Sequence, residues 1–392
     1  MNERVKFIGL HSQEEWTMTE LCRHFDISPK TGYKIVKRFE RYGLSGLEDR
    51  SRAPHHHPNA VSELVEQAVI AARHAHPRWG PKKLKAWLQR RDTETKWPAV
   101  STFGEILSRH GLTVPRRRCR KTQAYEQPFV GCDFPNAVWS GDLKGWFLTG
   151  DGVRCDPLTI SDNYSRMLLR CQAVTPTNHE AIQPVFEAAF REYGLPMAIR
   201  TDNGPPFATT TVGALSKLSI WWLKLGIIPE RIEPGKPQQN GRHERMHRTL
   251  KGETASPPKR TWRTQQKAFD YFREEYNYER PHESLDQQTP TEFYVRSPRP
   301  YPLLVPEMTY PDDMTVRIVK SQGDISWKSR HVYLSVTLAR EPVGLRQVSD
   351  RLWDIYFGPI KLAQLDTWER RLIHLPRKPK RRNNKNDKKE QK

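Results

Sequence analysis

The chain has 392 residues, of which 65 are Lys or Arg and 45 are Asp or Glu, so its formal net charge is +20. This length exceeds the size of one hydrophobic core and predicts several domains. The charge favours a nucleic-acid partner. No apolar run is long enough to cross a bilayer and no signal peptide is recognised, which excludes a membrane-spanning protein and predicts a cytoplasmic one. The five cysteines form no CxxC pair, so a disulfide framework and a cysteine-based zinc site are also excluded.

Residues 1–50 are predicted to form a helix-turn-helix DNA-binding domain. Thr17 begins a capping-box pattern at the first helix. Ser28 followed by Pro29 is typical of the start of a second helix, which Gly43 ends. The second helix would enter the major groove, although a small helical bundle with a solvated basic face would show the same pattern. The predicted DNA contacts on it are Lys30, Thr31, Lys34 and Lys37.

Residues 51–59 are predicted to be a linker because they are rich in Pro, Ser and charge. Three consecutive histidines in this segment cannot all face one ion, so a metal site is not favoured. A second helix-turn-helix domain is predicted over 60–115, with helices that begin at Pro81 and at a Ser101 cap. A basic linker over 116–134 follows, in which solvation and phosphate contact are both open. The predicted DNA contacts there are Arg116, Arg117 and Arg118.

Residues 135–300 change to short runs with the β-branched and aromatic content of strands, together with helical patterns. Strands are predicted over 138–148, 157–165, 166–174, 197–203 and 225–232, and helices over 178–194 and from about Gln239 onward. This order predicts a mixed sheet that helices cover on both faces.

Three carboxylates in this region stand in unusual surroundings. Asp142 lies in an apolar and aromatic run, where an unpaired charge is costly to desolvate. Asp202 ends a short buried strand, and Glu244 lies on a helix rich in Arg, His and Lys. In a mixed sheet these positions can meet at one edge, where three carboxylates suit two Mg²⁺ ions and phosphodiester chemistry. Arg248 and Lys251 fall on the same helical face as Glu244, which would set two cations beside the metal ligand.

Other titratable residues nearby have simpler explanations. Asp151 and Asp156 lie in predicted turns, where carboxylates accept hydrogen bonds from backbone amides. Asp162 lies in a segment between two strands. His243 and His247 flank the helix glutamate, and we interpret them as DNA contacts or as supports for a metal ligand rather than as ligands.

Residues 301–376 show short alternating runs separated by Gly, Asp and Pro. About five strands of that length predict a small β-barrel, with either a structural role or a role in DNA or protein contact. The tail, residues 377–392, is basic and is predicted to be disordered.

The segments WSGDLKG, TDNGPPF and KPQQNGRHERMHRTLK, followed by YNYERPHESLDQQTPTEFY at 276–294, resemble DDE transposases of bacterial insertion sequences. The catalytic core of that family is retroviral-integrase-like and ribonuclease-H-like, and the resemblance spans roughly 15–300. It implies that Asp142, Asp202 and Glu244 are the catalytic triad and hold two Mg²⁺ ions, for which Mn²⁺ can substitute. Further predicted DNA contacts near the glutamate are Gln239, Asn240, Arg242, His247, Arg248 and Lys251.

Two departures from retroviral integrases are visible. The spacing from Asp202 to Glu244 is longer, which predicts an extra loop around 208–225. The His-His-Cys-Cys zinc module of those integrases is missing, and the two helix-turn-helix units take its place. Both departures fit an insertion-sequence transposase better than a viral enzyme.

The expected fold class is therefore multidomain α+β, with helix-turn-helix units, a ribonuclease-H-like α/β core containing a mixed sheet, and a C-terminal β-barrel. The resemblance implies binding to double-stranded DNA, namely the terminal inverted repeats of an element and its target, followed by strand cleavage and strand transfer. It also implies a homo-oligomer, at least a dimer on DNA, in the nucleoid of a bacterial cytoplasm. Two alternatives stay open: a DNA-binding protein without catalysis, and a metal-dependent nuclease without strand transfer.

Overall fold

The computed structural model describes residues 2–49, 60–113, 131–209, 212–232, 241–328, 330–369 and 371–374. The chain divides into two compact units, Met1–Ser62 and Glu63–Lys392. Within the described ranges, no helix is long and apolar enough to cross a membrane. The predicted linker 51–59 and the predicted tail 377–392 lie outside the described residues.

The first unit is helical. Its helices are α1 (Asn2–Ser12), α2 (Met18–His24) and α3 (Pro29–Tyr42). The predicted caps are confirmed: Thr17 and Glu20 form a reciprocal capping box before α2, and Ser28 accepts a hydrogen bond from the backbone before α3. Helix α1 was not predicted, yet it supplies the fully buried Phe7, which packs with Leu21 in the core of this unit. The helix-turn-helix is therefore completed by an additional N-terminal helix.

The second unit begins with another helical bundle. Its helices are α4 (Glu63–Ala75), α5 (Pro81–Arg91) and α6 (Val100–Arg109). Trp79, Leu84 and Phe103 are buried between them. Helix α6 begins one residue before the predicted cap, because Ala99 takes the extended cap conformation and Ser101 lies inside the helix. The predicted pair of helix-turn-helix domains is otherwise confirmed.

A mixed sheet follows, as predicted. Its strands are β1 (Val138–Leu143), β2 (Phe147–Leu148), β3 (Arg154–Asp162), β4 (Leu168–Val174), β5 (Ala198–Thr201) and β6 (Ile228–Arg231). Among the described residues the order is β4-β3-β1-β5-β6, with the short β2 beside β3. Strand β3 is antiparallel to β1 and β4, whereas β1, β5 and β6 run parallel. The parallel half therefore brings the carboxyl ends of β1 and β5 to one edge.

Helices cover both faces of this sheet. They are α7 (His179–Tyr193), α8 (Lys217–Lys224), α9 (Gly241–Thr254) and α10 (Trp262–Glu274). Under α7 and α8 lies an apolar core that contains Trp139, Phe186 and Trp222. Under α9 and α10 lies a smaller cluster that includes Leu250 and Phe269. Period-two alternation along the strands sends neighbouring residues to opposite faces.

The segment predicted as an extra loop around 208–225 contains helix α8. Its Leu218, Trp221 and Trp222 pack into the core under the sheet, while Ile220 and Leu223 pack against the C-terminal strands. The inserted residues therefore join two hydrophobic cores, and burial on both sides explains why no amphipathic helix was recognised.

The C-terminal region is an open sheet rather than a barrel. Its strands are β7 (Thr315–Ile318), β8 (Asp324–Trp327), β9 (Arg330–Tyr333), β10 (Pro342–Gln347), β11 (Leu352–Phe357), β12 (Ile360–Asp366) and β13 (Arg371–His374). In the described residues the order is β13-β12-β11-β10-β7, and β8 and β9 form a separate hairpin. Since β7 and β13 are not paired with each other, the predicted closure is not confirmed. The hairpin packs over the sheet instead, with the Trp327 and Trp353 rings 4.8 Å apart.

Candidate active site

Asp142 lies near the carboxyl end of β1, and Asp202 directly follows the parallel strand β5. Strands β1 and β5 pair in a register that sets Ser140 opposite Arg200. Two further residues along both chains bring Asp142 opposite Asp202, which directly follows β5. Adjacent strands lie about 4.8 Å apart, so this register places both carboxylates at one edge of the sheet.

Asp142 points toward α9. The preceding Gly141 faces the other side, where an added Cβ would lie 2.8 Å from the Phe186 ring of α7. Neighbouring residues of a strand alternate between faces. Accordingly, the Oδ2 atom of Asp142 lies 3.8 Å from Nδ1 of His247 on α9, and the Asp142 side chain is only 15% exposed.

Glu244 shares a cavity with Asp142. The cavity has a volume of 480 Å³, and Asp142, Lys144, Glu244, Arg248 and Lys251 all contribute to its lining. Glu244, Arg248 and Lys251 are exposed on α9, as their helical spacing predicts. The cavity therefore combines two carboxylates with three cationic side chains, which suits a metal ion and a phosphate backbone together.

A buried hydrogen-bonded group holds α9 against the sheet beside Asp142. The Thr159 hydroxyl lies 2.6 Å from Nε2 of both His243 and His247, and it donates to the backbone oxygen of Asp142 at 3.3 Å. A hydroxyl has one proton and two lone pairs, so Thr159 accepts from both Nε2 atoms. Burial lowers the pKa of His243 to about 3 and that of His247 to about 2, and both imidazoles are neutral.

This tautomer leaves a lone pair on Nδ1 of His247, facing the carboxylate of Asp142. A carboxylate oxygen and an imidazole lone pair 3.8 Å apart can both be ligands of one cation. The residues present therefore fit a divalent cation. A smaller donor set overlaps this place, since ligand atoms of Asp142, His243 and His247 lie within 4.8 Å of one another. Carboxylate oxygens suit Mg²⁺, whereas imidazoles suit softer metals.

Asp202 lies in a turn at the surface. Desolvation by the surrounding chain raises the pKa of Asp202, and the backbone N–H of Gly204, which donates to Oδ1 at 3.3 Å, opposes that change. The Asn203 side chain donates to the backbone oxygen of Ile232 at 2.7 Å, just beyond β6. The turn is thereby tied to the next strand, which fixes the position of the Asp202 backbone.

The predicted DNA contacts fall into three groups. Lys30, Thr31, Lys34 and Lys37 are exposed on α3, and Arg248 and Lys251 are exposed on α9. His247 is buried, with 5% of its side chain exposed, and it faces Thr159 and Asp142. Outside the described residues are Arg116, Arg117, Arg118, Gln239 and Asn240, and the side chain of Arg242 is also not described.

The neighbouring acids that were set aside have structural partners. Asp162 is buried and accepts from the backbone N–H of Asn136 and from both the backbone N–H and the hydroxyl of Ser165. Asp156 pairs with Arg154 through both carboxylate oxygens, at 2.7 and 3.0 Å. Asp151 accepts from Thr149 and from the backbone of Val153. These contacts give all three carboxylates structural partners. Asp156 lies within β3 and Asp162 at its end, so the predicted turn and connecting segment are wrong for these two residues.

Sequence reasoning missed Thr159 and Lys144. Thr159 lies opposite Asp142 in the β1–β3 register, but a threonine in a strand gives no signal without knowledge of that pairing. Lys144 follows Asp142 by two residues, a spacing that places both on one face of an extended chain, and this could have been noticed from the sequence.

Comparison with known proteins finds helix-turn-helix domains followed by an integrase core domain, in the order that the sequence predicts. Models for a helix-turn-helix domain, a homeodomain-like domain and an integrase core domain match residues 3–55, 31–107 and 225–290. The insertion element IS407 uncharacterized 31.7 kDa protein of Burkholderia multivorans is 27% identical over 242 residues, which cover 61% of this chain and 83% of that protein. These matches support the recognition of this chain as similar to the insertion-sequence transposases with an integrase core.

Other relatives extend this result. The insertion element IS476 uncharacterized 39.2 kDa protein of Xanthomonas euvesicatoria is 25% identical over 240 residues, which cover 60% of this chain and 66% of that relative. The Gag-Pol polyprotein of baboon endogenous virus is 26% identical over 184 residues, which cover 47% of this chain and 10% of that protein.

Among solved structures, the HTLV-2 integrase catalytic core domain in complex with magnesium covers 42% of this chain and 99% of its own, with 16% identity and a TM-score of 0.33. A simian T-cell lymphotropic virus intasome in complex with the PP2A regulatory subunit B56 gamma covers 79% of this chain and 100% of its own, with 16% identity and a TM-score of 0.36. Scores of this size support no argument by themselves.

Proposed function

We propose that the chain is a DDE transposase in which Asp142, Asp202 and Glu244 form one catalytic site. The observation that supports this proposal is the β1–β5 register, which ends at Ser140 opposite Arg200 and, if continued by two residues, would bring Asp142 opposite Asp202, together with the cavity that Asp142 shares with Glu244. In this proposal Asp202, which does not line that cavity, joins Asp142 and Glu244 at the same edge of the sheet. Three carboxylates from separate elements suit hard divalent cations. Two Mg²⁺ ions, when bound there, would polarise the attacking and leaving oxygens of a phosphodiester.

The residues around the triad have separate tasks in this proposal. Lys144, Arg248 and Lys251 bind backbone phosphates and hold the scissile bond at the cavity. His247 and Thr159 fix the position of Asp142 from the buried side. Water attacks the phosphorus at the element end and displaces the 3′-oxygen of the element strand, which leaves as a 3′-hydroxyl. That hydroxyl then attacks a phosphodiester of target DNA and displaces the 3′-oxygen of the target strand.

DNA recognition would come from the two helix-turn-helix domains. The exposed cationic side chains of α3 are suited to the major groove and its phosphates, and the proposed ligand is the terminal inverted repeat of the element. Joining two element ends to one target implies at least two copies of the chain on DNA.

A joining assay tests the proposal. Labelled element-end DNA and a target plasmid are incubated with the full-length protein and Mg²⁺ or Mn²⁺. We expect joined products from the wild type, and retarded but unjoined DNA from Asp202→Asn, because an amide is a poor ligand for these metals. Asp270→Asn, which alters an exposed aspartate of α10, is the matched control and should join normally.

The other outcomes identify the alternatives. Cleavage without joining would indicate a nuclease, and retardation without cleavage by the wild type would indicate a DNA-binding protein. If Asp202→Asn joined DNA as well as the wild type, the assignment of the site would be wrong.

A further inference from the structure

A second cavity adjoins the one that holds Asp142 and Glu244. It has a volume of 300 Å³, and its walls include Trp146, Phe147, Leu250 and Phe269. Lys144 and Lys251 line both cavities. An apolar aromatic space therefore opens beside the proposed catalytic site, and two lysines are common to the walls of both cavities.

Trp146 forms an exposed and braced wall of this second cavity. The indole is 60% exposed, which is uncommon for the largest apolar side chain. The guanidinium carbon of Arg154 lies 5.4 Å from the ring centre, and Arg154 is itself held by Asp156 through bonds of 2.7 and 3.0 Å. The Arg154 contact favours this orientation of the ring, and preorganisation of that kind lowers the entropy cost of stacking on it.

The aromatic and cationic side chains of the walls indicate which kind of ligand the cavity can bind. A planar heteroaromatic group can stack on the indole and contact Phe147 and Phe269, while the anionic group attached to it pairs with Lys144 or Lys251. A nucleobase with its backbone phosphate has this combination. A base inside a duplex is stacked between its neighbours and cannot enter an apolar cavity, so the base must be unpaired and turned out of the helix.

The position along α9 gives the distance from the reaction. Leu250 and Lys251 follow Glu244 by six and seven residues, which corresponds to about 10 Å of helix. That length equals about three base-pair steps at roughly 3.4 Å each. A base in this cavity would therefore lie a few nucleotides from the scissile phosphate.

We propose that the cavity beside Trp146, which we call the base pocket, binds one unpaired nucleobase of the element-end DNA. Stacking on Trp146 holds the strand open next to the triad and fixes the register of the scissile bond. This inference rests on the proposed function, because it takes the bound DNA to be the one that the triad cuts.

A cross-linking experiment detects the base that occupies the pocket and does not depend on catalysis. Full-length protein is bound, in EDTA, to element-end duplexes in which 5-iodouracil replaces one base near the end at a time, and the complexes are irradiated. We expect a cross-link to Trp146, mapped by mass spectrometry, at one position about three steps from the cleaved bond. Cross-links that map only to peptides without Trp146 would overturn the proposal.

Matched variants give a second, independent measurement. Trp146→Ala should weaken binding of a duplex with an unpaired end by about tenfold or more, whereas Trp146→Phe should retain most of the affinity. An abasic nucleotide at the cross-linked position should remove the difference between wild type and Trp146→Ala. Trp368→Ala is the control, because Trp368 is 72% exposed and also lies under an arginine, Arg351.

The results separate this inference from the proposed function. A Trp146 cross-link without DNA cleavage would support the base pocket and contradict the transposase chemistry. The wild type could instead cleave and join DNA while the Trp146→Ala and Trp368→Ala variants bind the unpaired end with equal affinity. This pair of results would overturn the base pocket and leave the proposed function intact.

Discussion

The two faces of the central sheet have different compositions and different tasks. The face under α7 and α8 is filled by aromatic and aliphatic side chains such as Trp139, Phe186 and Trp222, all fully buried. The face under α9 carries Asp142 and Thr159 opposite His243 and His247. One face therefore stabilises the fold and the other positions functional groups, so substitutions on the two faces should separate stability from activity.

The largest expected effect is on activity, from the α9 face. Glu244→Gln removes a proposed metal ligand from an exposed position. Loss of a residue that only hydrogen-bonds a metal ligand costs up to roughly 100-fold in activity, so loss of the ligand itself should lower strand joining by more than that. The thermal midpoint should stay close to that of the wild type. Joining assays and thermal unfolding measure the two quantities. A large drop in the thermal midpoint would show that Glu244 is structural. The two faces of the sheet would then not differ in their effects on stability and activity.

The α7/α8 face should show the reverse. Trp222 is fully buried between the sheet and α8, so Trp222→Ala should lower the free energy of unfolding by about 3–5 kcal/mol. Urea unfolding of the full-length protein measures this, with the exposed Trp368→Ala as the control. Protein that remains folded should still join DNA. Unchanged stability would contradict the assignment of this face as the stabilising one.

Thr159→Val tests the buried hydrogen-bonded group that joins β3 to α9. It leaves the Nε2–H groups of His243 and His247 without their hydroxyl partner, which should cost about 1–3 kcal/mol of stability. Since Thr159 and His247 position Asp142, metal affinity in the presence of DNA should also fall by about 10- to 100-fold. Thr159→Ser keeps the hydroxyl and should restore both properties. If only stability changed, Thr159 would have no part in positioning the site.

A further expected effect concerns pH and is spread over several pH units. His282 is buried against Tyr276, with the two ring centres 4.6 Å apart. Desolvation first and the nearby Lys83 second lower the pKa of His282 to about 3. In the unfolded chain a histidine binds its proton below about pH 6.5, whereas the folded protein takes up that proton only near pH 3. The contribution is thus fully present above about pH 6.5 and is lost as the pH falls toward 3, by up to about 1.4 kcal/mol per pH unit.

The measurement for His282 is the pH dependence of urea unfolding between these limits. The stability of the wild type should fall more steeply on acidification than that of His282→Gln, because the variant lacks this titrating group. Equal slopes would show that His282 is accessible to protons in the folded state.

The sequence was sufficient to predict the elements that carry the triad. Asp142 stands out because a carboxylate interrupts an apolar strand, and Asp202 because it ends one. The mixed sheet, the helix-turn-helix domains and their caps also follow from local signals such as Thr17 and Ser28. Each of these signals lies within a few residues of the feature that it predicts.

Features that depend on distant pairing could not be predicted. Helix α8 is apolar on both sides because it joins two cores, so its periodicity is hidden. Closure of the C-terminal sheet would require β7 to pair with β13, and no local pattern specifies that pairing. Thr159 and the base pocket are recognised only once the β1–β3 register and the position of α9 are known.

The most direct test of the central claim is to map the metal on the chain itself. With Fe²⁺ in place of Mg²⁺, on element-end DNA with ascorbate and peroxide, hydroxyl radicals break the backbone beside the bound ion. We predict cuts near Asp142, Asp202 and Glu244 together, suppressed by excess Mg²⁺ and lost in Asp202→Asn. Cuts near Asp142 and His247 that persist in Asp202→Asn, with none near Asp202, would place the metal on the imidazoles and contradict a site built from three carboxylates.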